Sequence, residues 1–329
     1  MKVHKLGKTD ITVSALAMGC WAIAGDPVWG PQDEAESHAT VHTALDLGIN
    51  FFDTAEGYTG GESEAVLGRA LAGRRQEAVI ATKVGRANLS LDGIREACED
   101  SLRRLQTDYI DLYQIHWPSR SVPLEETAEA MKRLREEGKV RAIGVCNFGV
   151  GDLGDLLKLG WIESDQLPYS LLWRGIEYEI QNKCVEEGVG ILAYSPLAQG
   201  LLTNKFSSPE DVPEGRARIR LFSGERPLAR HGEAGCEAEV FAALDKVGAI
   251  CAAIGQPMTD VAIAWLFQQP GVTTVIAGAR TPDQIRQTAG AVDLHLAPDI
   301  LARLAEATEE VKRAVGPNPD MWQSTSRIR

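Results

Sequence analysis

Cationic residues are in short supply: the 329-residue chain has 34 Lys and Arg against 46 Asp and Glu, a net charge of −12. A nucleic-acid binder needs a basic face to neutralise phosphates, so that class of partner is excluded. Long apolar runs are also missing. No stretch approaches the roughly 18–20 unbroken apolar residues of a membrane span. Met1-Lys2-Val3-His4-Lys5 leads straight into patterned sequence, without the apolar core of a signal peptide. A cytoplasmic chain with no membrane partner is expected. Six cysteines, at 20, 98, 146, 184, 236 and 251, never form a C-x-x-C pair. That removes the usual signature of a zinc site or redox pair and predicts free, buried thiols. G-x-G-x-x-G and Walker A patterns are absent too; Gly7-Lys8-Thr9 lacks the upstream glycine. A doubly wound nucleotide-binding sheet would normally show one after its first strand.

Short apolar runs rich in β-branched residues alternate instead with segments of helical period. The runs are Ala15–Gly19, Asn50–Asp53, Ala78–Val84, Tyr109–His116, Val140–Asn147, Ser164–Tyr169, Gly190–Ser195 and Thr273–Gly278. Most are apolar nearly throughout, as parallel strands covered on both faces should be. Helices are predicted at Glu34–Leu47, Ser63–Ala72, Leu91–Leu105, Leu124–Glu137, Leu153–Leu159, Ile176–Glu187, a pair within Glu237–Gln269, and Pro282–Ala291. Gly48, Gly138, Gly160 and Gly188 stand where a left-handed residue closes a helix, and Ser90 and Thr281 where an N-cap opens one. Eight strands alternating with helices over about 280 residues predict a (β/α)₈ (TIM) barrel. The expected plan is one domain over residues 1–329. It has an N-terminal hairpin around Gly7–Asp10, the barrel at about 15–291, a long loop at 201–235, and a C-terminal helix and tail at 298–329.

Function in such a barrel concentrates at the C-terminal ends of strands. Asp53 ends the second strand, Lys83 the third and His116 the fourth, and Tyr58 lies in the loop after the first of these. Together they form a proton-transfer set. A phenol holds its proton with a pKa of about 10, and a nearby lysine cation is expected to lower that value. An aspartate keeps the buried lysine charged, and a histidine can orient a carbonyl oxygen. Nothing here supplies electrons, so a hydride cofactor would complete the set. His38 and His42, at i and i+4, have metal-ligand spacing but no third ligand and read as a solvated helix face, so no metal is expected.

At these residues the chain resembles the aldo-keto reductase superfamily, over roughly residues 1–312. The matching stretches are Gly48–Ala55 with Tyr58 and Gly61–Glu64, Asp108–Leu112, Gly138–Phe148, Ala193–Leu197 and Val275–Arg280. The resemblance implies a barrel enzyme that interconverts a carbonyl and an alcohol by hydride transfer, with NADP(H) preferred and NAD accepted. Asp53, Tyr58, Lys83 and His116 then match the catalytic tetrad. Cys146, Asn147 and Gln166 match the positions that hold the nicotinamide carboxamide, with Cys146 replacing the usual serine. Tyr194 matches the aromatic residue under the ring. Ser195, Pro196, Leu197, Gly200 and Lys205 match the loop around the pyrophosphate. Gly278, Arg280, Gln284, Gln287 and Thr288 match the adenosine end, with Arg280 set for a 2′-phosphate. Gln287-Thr288 replaces the usual Glu-Asn, and Ala277 a proline. Cys20 and Trp21 follow the first strand beside the cofactor, and Trp21, Tyr58, His116 and Trp117 face the substrate, a small carbonyl compound or polyol.

Some relatives of this fold are instead β subunits of potassium channels, where binding outweighs turnover; the Ala/Gly/Arg-rich composition and the lack of an N-terminal inactivating segment place that reading second. A Schiff-base aldolase using Lys83 ranks last, and self-association stays open. The least determined expectation concerns Arg216, Arg218, Arg220, Arg226, Arg230 and His231 in the long loop. Either they belong to a mobile loop beside a frayed terminus, or the arginines clamp cofactor phosphates while Trp322 closes a polar pocket over a sugar or cyclitol.

Overall fold

A computed structural model describes all residues, 1–329. β1 (Val3–Lys5) and β2 (Thr12–Ser14) form an antiparallel hairpin. Eight parallel strands then close a barrel: β3 (Leu16–Gly19), β4 (Phe51–Asp53), β5 (Val79–Val84), β6 (Ile110–Ile115), β7 (Val140–Cys146), β8 (Ser164–Pro168), β9 (Gly190–Tyr194) and β10 (Val272–Gly278), with β10 pairing β3. Each predicted run contains one of them except the last, where β10 begins one residue earlier than Thr273, at Val272. The helices are α1 (Glu34–Asp46), α2 (Glu62–Ala70), α3 (Leu91–Leu105), α4 (Leu124–Glu136), α5 (Val150–Leu159), α6 (Ile180–Glu187), α7 (Glu237–Ala253), α8 (Met258–Phe267), α9 (Pro282–Gly290), α10 (Pro298–Ala307) and α11 (Glu309–Val315). No helix is long and apolar enough to cross a membrane.

The caps are mostly those anticipated. Ser90 and Thr281 accept hydrogen bonds from the amides of Gly93 and Gln284. Gly160 differs: its φ of 172° is extended, so α5 ends without a left-handed cap. α6 also starts at Ile180 rather than Ile176, because Gly175–Tyr178 tightens into a 3₁₀ turn.

Two apolar layers follow from the strand pattern. Outward-facing strand residues pack on the helices, while Ala17, Phe51, Ala81, Leu112, Ala142, Leu192 and Ile276 fill the barrel interior, with Leu6, Ile11 and Val13 from the hairpin region packed among them. Strand side chains alternate, so the residue two positions further along points to the same interior. From the apolar layer, that step leads to Gly19, Asp53, Lys83, Gln114, Gly144, Tyr194 and Gly278. The polar floor therefore sits directly on an apolar plug. Gly144 makes room for it: a Cβ there would lie 2.6 Å from Ser164 Oγ and 3.2 Å from Gln114 Cγ.

The segment after β9 departs from expectation. Val212, Ala217, Ile219, Leu221 and Phe222 are buried, so residues 201–235 wrap the barrel as a packed strap. Arg220 is buried within it and donates to the carbonyls of Val315, Asn318 and Asp320 and to Glu233. Arg226 pairs with Glu214 and Glu237. Neither arginine lines the large cleft, and neither does His231. This corrects the idea that all the arginines face a cofactor: Arg220 and Arg226 hold the strap to its own neighbours and to the tail.

The terminus is not frayed. Asp320 is fully buried and accepts two guanidinium bonds from Arg327, at 2.7 and 2.8 Å. The amide of Arg329 donates to Asp152, and the Asp152 amide returns a bond to the Arg329 carbonyl. The last residue is thereby clipped to the start of α5.

Candidate active site

The C-terminal ends of the strands open into a cleft of about 820 Å³, within the usual range for small-molecule sites. At its base Lys83 is fully buried, and its ammonium uses all three donors: to Asp53 Oδ1 at 2.7 Å, the Thr54 carbonyl at 2.7 Å and Tyr58 Oη at 3.1 Å. Asp53 Oδ2 accepts from Gln166 Nε2 at 2.7 Å and from Gln114 Nε2 at 3.4 Å. Gln114 was missed by the sequence reading. Its signal was its place two residues beyond Leu112, on the same face as Lys83.

The pKa directions follow from these contacts. Burial opposes the Lys83 charge, but Asp53 and Tyr58 outweigh it, and the ammonium is held more tightly than in water. A Schiff-base lysine must lose its proton readily, so this arrangement disfavours the aldolase reading. For Tyr58 the expected sign is reversed. Burial pushes the phenol above the ordinary tyrosine value; Lys83 pulls down and Asp53 pushes up, and the net direction is upward. The phenol stays protonated and is poised to donate. His116 is pushed down to about 3 by burial first, then by Lys83 and Arg327. It is a neutral imidazole at physiological pH.

Aromatic rings frame this group. Trp21 stacks on Tyr58 at 5.7 Å between centroids, Trp29 meets Trp21 edge-on at 5.7 Å, and His116 meets Tyr58 edge-on at 6.0 Å. Trp117 lies under Arg327, whose guanidinium is 3.6 Å from the ring centroid. Trp322 and Gln323 from the tail complete this side of the cleft.

The other side is built on the ends of β7 to β10. Asn147 and Ser195 take left-handed backbone conformations (φ 61° and 55°) at the ends of β7 and β9, which turns the chain sharply along the rim. The Tyr194 hydroxyl donates to Asn147 Oδ1 at 2.9 Å. Gln166, Tyr194, Ser195, Pro196, Leu197, Gly200, Lys205, Gly278, Arg280, Gln284, Gln287 and Thr288 all line this wall, and Cys20 lines the cleft beside it, after the strand paired with β10. Cys146 is not at the surface of this wall: it is buried at the end of β7, on the same face as Gly144. Burial pushes its thiol pKa well up, so it is uncharged. Arg280 is partly committed, donating to the Trp29 and Pro31 carbonyls and to Gln32 Oε1. Arg216, Arg218 and Arg230 also face the cleft.

A dinucleotide fits this wall by its chemistry: buried amides at one end, a close-approach backbone turn at Ser195–Gly200, and free cations beyond. The aldo/keto reductase family model matches residues 15–309. An NADH-specific methylglyoxal reductase of Escherichia coli is 34% identical, covering 95% of this chain and all of its own. A glycerol dehydrogenase structure from Gluconobacter oxydans superposes with a TM-score of 0.82 at 32% identity, covering 96% of this chain and 97% of its own. A Klebsiella pneumoniae aldo-keto reductase solved with NADPH gives a TM-score of 0.73 at 29% identity, over 97% and 96% of the two chains.

Proposed function

The chain belongs to the aldo/keto reductase family of oxidoreductases, and we propose that it interconverts an aldehyde, ketone or sugar and the corresponding alcohol, preferring NADP(H) to NAD(H). The observation that carries this reading is the Asp53–Lys83–Tyr58 chain of hydrogen bonds at the base of a cleft whose far wall is cationic. A bound nicotinamide dinucleotide supplies or accepts the hydride. In reduction, Tyr58 donates its proton to the carbonyl oxygen and becomes phenolate. Lys83 stabilises that phenolate, and Asp53 keeps Lys83 in place. His116, neutral, offers a hydrogen bond to the same oxygen and sets its orientation. In oxidation the same groups act in reverse. Asn147 and Gln166 would hold the carboxamide of the nicotinamide and Tyr194 its ring, while Ser195–Gly200 and Lys205 would hold the pyrophosphate. The test is a cofactor-coupled absorbance screen at 340 nm (the reduced nicotinamide band) of aldehydes, sugars and polyols, run in both directions. No turnover with either cofactor would overturn the reading.

The relatives differ over the cofactor: the E. coli protein is named NADH-specific, and the Klebsiella structure holds NADPH. The preference for NADP(H) rests on Arg280 beside Gln284 and Gln287. Arg280→Ala should weaken NADPH about ten- to a hundredfold, the loss expected for one charge-assisted contact of about 1.5–3 kcal/mol. Because Arg280 also pins residues 29–32, NADH affinity serves as the control. Equal loss for both cofactors would mean that Arg280 only organises that loop.

The tail forms part of the substrate side. Deleting residues 317–329 removes Trp322, Gln323 and Arg327 from the cleft and should raise KM for the best substrate severalfold, with little change in NADPH affinity. An unchanged KM and substrate ranking would show that the tail only covers the barrel. Because Arg220 loses two of its three carbonyl partners in that variant, Trp322→Ala in the full chain is the companion measurement.

A further inference from the structure

Six cations line the cleft, Lys205, Arg216, Arg218, Arg230, Arg280 and Arg327, against a single carboxylate, Asp53, which Lys83 already neutralises. They divide by position. Lys205 and Arg216 converge on Gly200, where a Cβ would lie 3.0 Å from Lys205 Nζ and 3.4 Å from Arg216 Nη1. Arg216 in turn feels the charge of Arg280. These three belong to the dinucleotide wall. Arg327 is satisfied by its two bonds to Asp320.

Arg218 belongs to neither group. Its guanidinium lies over Trp21, 5.4 Å from the ring centroid, and over Trp322, 5.0 Å away. Trp21 is the ring stacked on Tyr58. The cation is thus one indole away from the phenol, on the substrate side. Its Nε is buried without an acceptor. The one acid whose charge reaches it, Asp26, forms no ion pair with it; Asp26 Oδ1 accepts instead from the amides of Val28 and Trp29 at 2.8 and 2.7 Å. The cleft charge that acts on it is another cation, Arg230, which is exposed. His116 adds no negative charge. Two like charges facing a cavity, one of them half-buried and unpaired, are unfavourable unless an anion completes the site.

Building on the oxidoreductase reading, we propose that the substrate is an anionic carbonyl compound, whose carboxylate or phosphate is gripped by Arg218 with Arg230 beside it while its carbonyl meets Tyr58 and His116. A guanidinium fork suits both anions, and the flanking indoles hold its plane in place. A hydroxyl-rich substrate remains compatible if it carries such a group, as a sugar phosphate does.

The experiment compares matched pairs at saturating NADPH: 4-oxobutanoate against butanal, and glyceraldehyde 3-phosphate against glyceraldehyde. In the wild type kcat/KM should favour the anionic member of at least one pair by about tenfold or more, and which pair shows it separates carboxylate from phosphate. Arg218→Met should reduce that preference about ten- to a hundredfold through KM, and Arg218→Lys should restore part of it. Added NaCl should raise KM for the anionic member only, a wild-type readout independent of how the variants fold. Equal kcat/KM within both pairs would overturn the proposal. So would an Arg218→Met loss that appears in the Kd for NADPH, since that would assign Arg218 to the cofactor. If no aldehyde is turned over, the oxidoreductase reading fails separately, and tryptophan fluorescence still decides the anion site. Butanedioate or glycerol 3-phosphate should perturb Trp21 and Trp322 emission in the wild type and not in Arg218→Met; silence with both anions would overturn it.

Discussion

Tyr58→Phe is expected to lose about 10²–10⁴-fold in kcat, the usual worth of a positioned general acid or base. The substitution is narrow. The Phe ring keeps the stacking on Trp21 and the edge contact with His116, and Lys83 keeps Asp53 and the Thr54 carbonyl as acceptors. What disappears is the phenolic proton. Cofactor affinity, measured by fluorescence titration, should change by no more than about threefold, well under 1 kcal/mol. Retention of more than about a tenth of wild-type kcat would remove Tyr58 from its role, because a general acid contributes more than that.

The second large effect concerns the Asp53–Lys83 pair, and it has one readout in stability and another in pH dependence. Asp53→Ala leaves a fully buried ammonium without its counter-charge, and breaking a buried pair in this way costs about 3–5 kcal/mol. Denaturant unfolding should register that loss. The double variant Asp53→Ala with Lys83→Met should recover much of it, since no charge is then stranded. A single-variant loss below about 1 kcal/mol would show that water reaches Lys83. For catalysis, the sign follows from Tyr58. Reduction requires the protonated phenol, so its rate holds below the phenol pKa and falls as pH rises through it. Burial raises that pKa and Lys83 opposes the rise. Lys83→Met therefore moves the alkaline limb to higher pH while lowering the rate. A lower rate with an unmoved limb would mean that Lys83 only organises the pocket. With His116 pushed down to about 3, no histidine limb is expected between about pH 5 and 8 in either protein.

The barrel and the base of its cleft were legible in the sequence because both depend on local periodicity. A strand that must be covered on two faces reads as a short apolar run, and the run ends where the interior becomes polar. Asp53, Lys83 and His116 were conspicuous for that reason, as ionisable residues at the ends of three consecutive apolar runs. Once Leu112 is known to face the interior, Gln114 follows from the same rule, but nothing in an isolated glutamine announces the partner it meets 61 positions away. The net direction of the Tyr58 pKa was beyond reach for a related reason. The lysine that lowers it is visible as a residue, whereas the burial that raises it is a property of every neighbour at once, Trp21 and His116 included.

The arginines of residues 201–235 make the division plainest. In the sequence they are equivalent cations in an acidic protein. In the fold, Arg220 is spent on carbonyls more than 90 positions away, Arg226 on local carboxylates, and Arg218 on no anion at all. Periodicity decides which face a side chain takes, because strand and helix geometry act over a few residues. Pairing depends on which distant segments arrive together, and for a long-range charge that alone separates a structural tie from a free binding group.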